Sequence, residues 1–315
     1  MNVTFRQLKV FEAVARHLSF TRAAEELFLT QPAVSMQVKQ LEQHIGLPLF
    51  EQVGKKVSLT EAGREMQFYS RAIMQLLDEA DEVLDGLRGG ERGHLALAVP
   101  STANQMTMQL LAAFRRRHPA FTFSIDITNR EGLLRRLELN ECDLVIMGKP
   151  PEEANLDAVA FMENPLVVIA APDHPLAART RIPPASLKQE TFVIREPGSG
   201  TRIAMERFFA GHGWHPGGGM EMASNEAIKQ AVEAGLGLGI VSLHTLDVEL
   251  AAGRVAVLDV DTFPILRHWY IVQRQSKRLS AVASRFREFV ISEAGTVWHT
   301  PGGLRSGKAA AVPAG

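Results

Sequence analysis

The chain has 315 residues, 46% hydrophobic and 22% charged, the balance of a folded protein of two or three domains. Wholesale disorder, a collagen-like repeat and a disulfide scaffold are excluded. Thirty-four basic and 35 acidic side chains leave a net charge of −1, so any anion site has to be a local patch. The single cysteine, Cys142, cannot form an internal disulfide and reads as a core residue beside an apolar strand. Arg6, Lys9, Glu12 and Arg16 break the apolar pattern of the first twenty residues, which no secretory leader tolerates. With no uncharged apolar run of about 18 residues either, the expected location is the cytoplasm.

The first sixty residues read as short helices. Phe5, Leu8, Phe11, Val14 and Ala15 recur at helical spacing and give one buried face. A second helix starts near Ser19 or Thr21, either able to cap it, and runs for about nine residues through Ala23, Ala24 and Leu27. A third opens at Thr30 as N-cap, carries Pro32 in its first turn, where a missing N–H is harmless, and ends at Gly46. Ala33, Val34, Val38, Leu41 and Ile45 form its inward stripe. Two β-like pieces around Gly54, Lys55 and Lys56 then make a small hairpin.

From Thr60 to Leu87 the pattern changes. Ala62, Met66, Tyr69, Ile73, Leu76, Ala80, Val83 and Leu87 follow one another at alternating steps of four and three, a heptad seam. The seam suits pairing with a second copy of the chain; a helix lying along its own domain is the alternative. Gly86, Gly89, Gly90 and Gly93 close the helix and form a hinge. Beyond it strands and helices alternate: HLALAVP, MTMQLLAAFRRRHP, FTFSIDIT, EGLLRRLELNE and CDLVIMG. A second set follows with PLVVIAAP, TFVIREPGSG, a helix from Thr201, and SNEAIKQAVEAGLGLGIVS. Such alternation predicts open parallel or mixed sheets. HWYIVQR and SAVASRFREFVI return the chain to the first α/β unit, and the last twenty residues, rich in Gly, Ala and Pro, predict a disordered tail.

Two short helices separated by FLTQ have the layout of a helix-turn-helix, whose second helix enters the major groove tip first. The polar residues there are Thr30, Gln31, Ser35, Gln37 and Lys39. A glutamine can bond adenine bidentately and a serine can bond base or phosphate, while Lys39, Lys55, Lys56 and Arg64 supply phosphate contacts. Charge alone favours an ordinary helical subdomain, because residues 1–66 hold eight basic and seven acidic side chains. The segment LSFTRAAEELFLTQPAVSMQVKQLEQHIGLPLFEQVGKKVSLTEAG decides between them. It resembles the winged helix-turn-helix of LysR-type transcriptional regulators in Ser19-Phe20-Thr21, Ala23-Ala24, Thr30-Gln31-Pro32-Ala33-Val34-Ser35, Leu49-Phe50 and Ala62-Gly63.

The resemblance implies a multidomain α + α/β chain. A DNA-binding domain over 1–60 precedes a dimerising linker helix and hinge over 61–90. A two-lobed effector domain, like a periplasmic binding protein, then occupies 91–294. Lobe I is expected at about 91–164 and 266–294, lobe II at about 165–265, and the tail at 295–315. Together with LVIMGKPP, REPGSGTR and SNEAIKQAVEAGLGLGIVSLHTL, the first domain is most similar to the CbbR regulators of carbon-fixation operons. That likeness implies an activator that binds duplex DNA as a dimer of dimers, with RNA polymerase as a further partner and no membrane. Its effector would be a small anionic metabolite, such as a sugar phosphate, phosphoglycolate or NADPH, held without any covalent cofactor.

The residues themselves support an anion pocket. Arg195 lies at a strand end, Gly198 and Gly200 free the backbone, and Ser199 and Thr201 open a helix whose N–H groups favour a phosphate or carboxylate. Arg202 adds a planar charged fork. Ser101 and Thr102 repeat the strand-to-helix step, and Asn129, Arg130, Lys149 and Asn225 sit at other strand ends, where open α/β sheets bind ligands. The alternative is that these residues only cap helices. Gly302 to Lys308 has the spacing of a phosphate loop, but Ala309 replaces the metal-binding hydroxyl. No histidines have metal-ligand spacing and no nucleophile–base pair stands out, so no enzyme is expected. A solute-binding protein and an enzyme with a small anionic substrate remain the other classes.

Overall fold

The computed structural model describes residues 3–54, 56–87, 93–216 and 219–298. They gather into two compact units that divide after residue 88. Lys55, the glycines at 89 and 90, and residues 299–315, including the stretch with phosphate-loop spacing, lie outside the described residues.

The first unit holds α1 (Phe5–His17), α2 (Phe20–Glu26), α3 (Gln31–Ile45), β1 (Phe50–Val53), β2 (Lys56–Leu59) and α4 (Glu61–Leu87). Thr4 and Gln7 cap α1 reciprocally, and the Ser19 hydroxyl accepts the Arg22 N–H at the start of α2. The second helix has seven residues, shorter than the spacing predicts. Thr30 stands at the N-cap of α3 in extended backbone, yet its side chain makes no cap bond; Pro32 pre-forms that turn instead. Val10, Val14, Ala23, Ala24, Val34 and Val38 close one core, and Leu8, Phe11, Leu41 and Leu49 a second. The Glu42 carboxylate accepts the N–H groups of Leu49 (2.8 Å) and Phe50 (3.2 Å), fixing the entry into the β1–β2 hairpin. At Gly63 a Cβ would lie 2.0 Å from the Leu49 carbonyl oxygen, so only glycine lets α4 begin so close to that segment.

Along α4 the heptad seam divides. Ala62 and Met66 pack on the unit's own core. Tyr69, Ile73 and Leu76 are exposed, and Phe68, Leu77 and Leu84 widen the bare apolar strip.

The second unit contains two five-stranded mixed sheets. One has the order β4-β3-β5-β12-β6. It is built from β3 (Gly93–Val99), β4 (Phe121–Ile127), β5 (Leu144–Met147), β6 (Leu156–Glu163) and β12 (His268–Arg274). Helices α5 (Asn104–Arg117) and α10 (Ala281–Val297) cover one face, α6 (Arg130–Glu138) the other. Strand alternation sends Leu95, Leu97 and Val99 to the first face and Ala98 to the second, so both faces are buried. Phe114 anchors the first face, edge-on to Phe286 at 5.2 Å and Phe289 at 5.4 Å. Arg117, in the basic last turn of α5, pairs with Glu293. Cys142 is buried against Leu133 and Val145, and burial pushes its thiol up to about 12.

The other sheet has the order β11-β7-β10-β8-β9. Its strands are β7 (Leu166–Ala170), β8 (Phe192–Arg195), β9 (Met220–Met222), β10 (Leu238–Ser242) and β11 (Ala256–Val257). Helix α7 (Gly200–Gly211) packs on one face with Met205 and Phe209; α8 (Asn225–Glu233) packs on the other with Ile228 and Val232, and short α9 (Asp247–Ala251) follows β10. The AGLGLG run is a helix-to-strand turn, with Gly235 and Gly237 at positive φ.

Two differences from the sequence reading stand out. Strand β6 has no counterpart there, and it pairs with β12 along seven residues. Helix α10 runs past 294 to Val297, and Trp298 is buried, its indole N–H donating to His244 Nδ1 at 3.1 Å. The ordered chain therefore continues into the segment expected to be disordered.

Candidate functional site

In the first unit most of the predicted contact residues reach the surface. Thr30, Gln31, Pro32 and Lys39 are exposed, while Ser35 and Gln37 are half-buried. Positions 31, 35 and 39 follow one another at one turn each, and Gln31 Nε2 donates to Ser35 Oγ at 3.0 Å. Met36 points directly away from buried Val34 and Val38 and is 54% exposed, an apolar group at the centre of this face that the sequence reading passes over. Lys56 is exposed on β2, and Arg64 is exposed with one guanidinium N–H on the Leu59 carbonyl.

Three acids of this unit are engaged within it. Glu12 binds Arg16 and Arg71, Glu42 holds the hairpin entry, and Glu26 binds Arg16 and His17, which pull its carboxyl down to about 2.

The second unit holds a cavity of about 490 Å³ between its two sheets. The carboxyl ends of β3, β4 and β5 bring Thr102, Asn129, Arg130 and Lys149; the end of β8 and the start of α7 bring Arg195, Ser199, Gly200 and Thr201. Several predicted residues are engaged otherwise. Ser101 lies in the turn before α5 but does not line the cavity, and Asn129, which does, spends its Oδ1 on the Gly132 N–H. Arg202 faces away, binding Glu206 (2.8 Å) and Glu221 (2.7 Å). Asn225 is buried, its amide donating to Thr245. The Arg195 guanidinium is held bidentately by Glu196, and Lys149 is paired with Glu152.

Two cations outside the predicted set complete the wall. Residues 200, 203, 204 and 207 form one face of α7, which carries Arg207 to the mouth of the cavity. Arg267 enters from the segment before β12. Because β12 runs antiparallel to β5, its start lies beside the end of β5, where Tyr270 pairs with Met147. One Arg267 N–H donates to the Gly200 carbonyl at 2.9 Å, but its Nε is shut off from solvent and bonds nothing. Burial and the Arg130 charge pull this guanidinium down to about 10; burial and the Arg207 charge lower Arg130 as well. Arg130, Arg207 and Arg267 have no acidic partner among the described residues. With Arg195 paired to Glu196 and Lys149 to Glu152, these three cations leave the wall positive.

Residues 88–295 match the LysR substrate binding domain, and residues 5–64 match the bacterial regulatory helix-turn-helix protein, lysR family. The chain belongs to the LysR family. It is accordingly a DNA-binding transcription regulator and not an enzyme. The RuBisCO operon transcriptional regulator of Allochromatium vinosum is 59% identical to this LysR regulator over 294 residues, 93% of this chain and 97% of that one. The HTH-type transcriptional activator CmpR of Synechocystis sp. is 47% identical over 291 residues, 92% and 96% of the two chains. Among solved structures, the Synechocystis PCC6803 CcmR regulatory domain in complex with 2-PG superposes with a TM-score of 0.62 at 41% identity, covering 64% of this chain and 98% of that one. Close homologues of this LysR regulator are thus regulators of carbon-fixation genes. Among the described residues no helix is long and apolar enough to cross a membrane, and no group of side chains could hold a metal ion.

Proposed function

We propose that this LysR regulator activates carbon-fixation genes and that a small phosphorylated anion, bound between the two sheets, sets its output. The observation that carries the reading is Arg267. A guanidinium whose Nε is shut off from water and unbonded, with no carboxylate beside it, is costly unless an anion completes it. The start of α7 adds N–H groups and the Ser199 and Thr201 hydroxyls, a setting made for phosphate. The 2-PG held by the CcmR domain has that chemistry. In this reading residues 1–60 bind DNA, 61–90 link, and the lobes of 91–294 exchange at about 164–165 and 265–266, beside the backbone bond from Asn164 N–H to the Arg267 carbonyl. Two α4 helices pair through Tyr69, Ile73 and Leu76, and dimers pair again. Helix α3 docks in the groove with Gln31 and Ser35 at base edges and Lys39, Lys55, Lys56 and Arg64 on phosphates. RNA polymerase is the partner that activation then engages, in the cytoplasm where the DNA lies.

Calorimetry of the full chain with 2-phosphoglycolate, beside footprinting upstream of RuBisCO genes, tests this. Binding that Arg267→Gln weakens about tenfold or more and Arg267→Lys partly restores is the expected result. Saturable footprints with no response of the protein to any phosphorylated anion would leave the regulator but remove the effector.

A further inference from the structure

The cations of the cleft are not equivalent in place. Arg267 is enclosed and reaches the Gly200 carbonyl at the start of α7. Arg207 is exposed and sits seven residues further along the same helix, about 10 Å down its axis. Arg130 also reaches the start of α7, its Cδ 3.8 Å from where a Cβ at Gly200 would stand, and beside the larger effect of burial its charge lowers Arg267 while that of Arg207 lowers Arg130. Lys149, across the mouth, is held by Glu152, which raises it, and Arg207 opposes that only weakly. The lining therefore has a deep end, Arg267 and Arg130 with the helix start, and an outer end, where Arg207 comes from one lobe and Lys149, paired with Glu152, from the other. One phosphate at the deep end satisfies Arg267 and leaves Arg207 facing like charges across the gap. A cavity of about 490 Å³ has room for more than a single phosphate.

We propose that the cleft has two anionic ends and that Arg207 selects ligands carrying a second negative group, a phosphorylated carboxylate or a bisphosphate in preference to a single phosphate. This rests on the reading above that the cleft takes an anionic effector. The second group sits between the lobes, replaces repulsion by attraction on both sides, and so draws them together. A monoanionic or singly phosphorylated compound fills the deep end without that closure. Arg207 is exposed and makes no ion pair among the described residues, so its replacement leaves the core packing untouched.

The test is calorimetry of the full chain at fixed ionic strength with 2-phosphoglycolate and with ethyl phosphate, which keeps the phosphate but lacks the carboxylate. The wild-type chain binds 2-phosphoglycolate more tightly by about tenfold or more, the value of one charge-assisted contact. In Arg207→Gln that preference falls to within about threefold, because only 2-phosphoglycolate weakens, and Arg207→Lys regains part of it. Equal weakening of both compounds in Arg207→Gln, or a preference that survives it, overturns the assignment of Arg207 while leaving the effector reading in place. Failure of both compounds to bind the wild-type chain overturns that reading and this inference together.

Discussion

Gln31 and Lys56 are exposed on the same unit, and the proposed docking gives them different work on a duplex. A glutamine at a helix tip meets base edges, whereas a lysine on a hairpin strand meets phosphates that every sequence shares. Gln31→Ala is expected to lower the preference for the operator over random DNA by about 1–3 kcal/mol with little change in salt dependence. Lys56→Ala is expected to weaken both DNAs alike and to reduce the salt slope by about one. Titrations of operator and random duplex at several salt concentrations separate the two. His244 poses a different problem of single groups. Its Nε2–H donates to the Glu163 carbonyl at 2.9 Å and its Nδ1 accepts from Trp298, so the buried ring is neutral, and burial lowers its pKa against the raising effects of the Glu163 carbonyl and the charges of Asp247 and Glu163. A folded-state value below the unfolded one, about 6.5, means that this stability is complete above that pH and is lost as pH falls below it. Urea unfolding at about pH 7.5 and about pH 5.5 should show a midpoint drop that shrinks in Trp298→Phe, where no indole N–H opposes a proton on Nδ1.

At the scale of elements, α4 and Gly63 give the clearest expectations. The strip of Tyr69, Ile73 and Leu76 is bare in one protomer, and Leu76→Glu should shift the chain to monomers in sedimentation while leaving the first unit folded. Gly63→Ala should instead lower that unit's stability by about 1–3 kcal/mol in urea unfolding, since its methyl would meet the Leu49 carbonyl. Why some elements were legible and others not follows from the same contacts. Helices α1, α3 and α4 announce themselves because one stripe of each is apolar at helical spacing, and β3, β5 and β7 because both their faces are buried. Strand β6 contains Asp157, Ala158 and Ala160, poor strand formers, and its pairing partner β12 lies more than a hundred residues away, so nothing local marks it. The cleft divides in the same manner. Asn129, Lys149 and Ser199 sit just after strands and are found by position, while Arg267 lies just before one, and only the antiparallel course of β12 brings it to the same edge. Arg202 looks right because it is in the first turn of α7, yet it lies off the face that positions 200, 203, 204 and 207 turn to the cavity.

For the whole molecule the question is how an anion in one unit changes DNA binding by the other. A ligand moves that equilibrium only as far as it prefers one arrangement of the protein, and in the proposed reading the cleft would supply the preference by drawing its two lobes together around the anion. Two consequences are measurable. First, 2-phosphoglycolate at about a hundred times its Kd should stabilise the effector unit by about 2.7 kcal/mol, a rise in melting temperature of about 5–11 °C for a unit of this size, and Arg267→Gln, binding about tenfold more weakly or worse, should cut the rise by about half or more. Second, the coupling has to be reciprocal. If the ligand changes the Kd for operator DNA by some factor, saturating operator must change the Kd for 2-phosphoglycolate by that same factor, because both ratios are sides of one thermodynamic cycle. Measuring the four constants at one salt concentration tests the coupling, and the salt must be held because DNA affinity alone falls steeply with it. Equal ratios different from one mean that cleft and helix tip share a two-state equilibrium. Ratios of one would confine the effector to a later step, such as engagement of RNA polymerase, with the occupied cleft read by the polymerase and not by the operator.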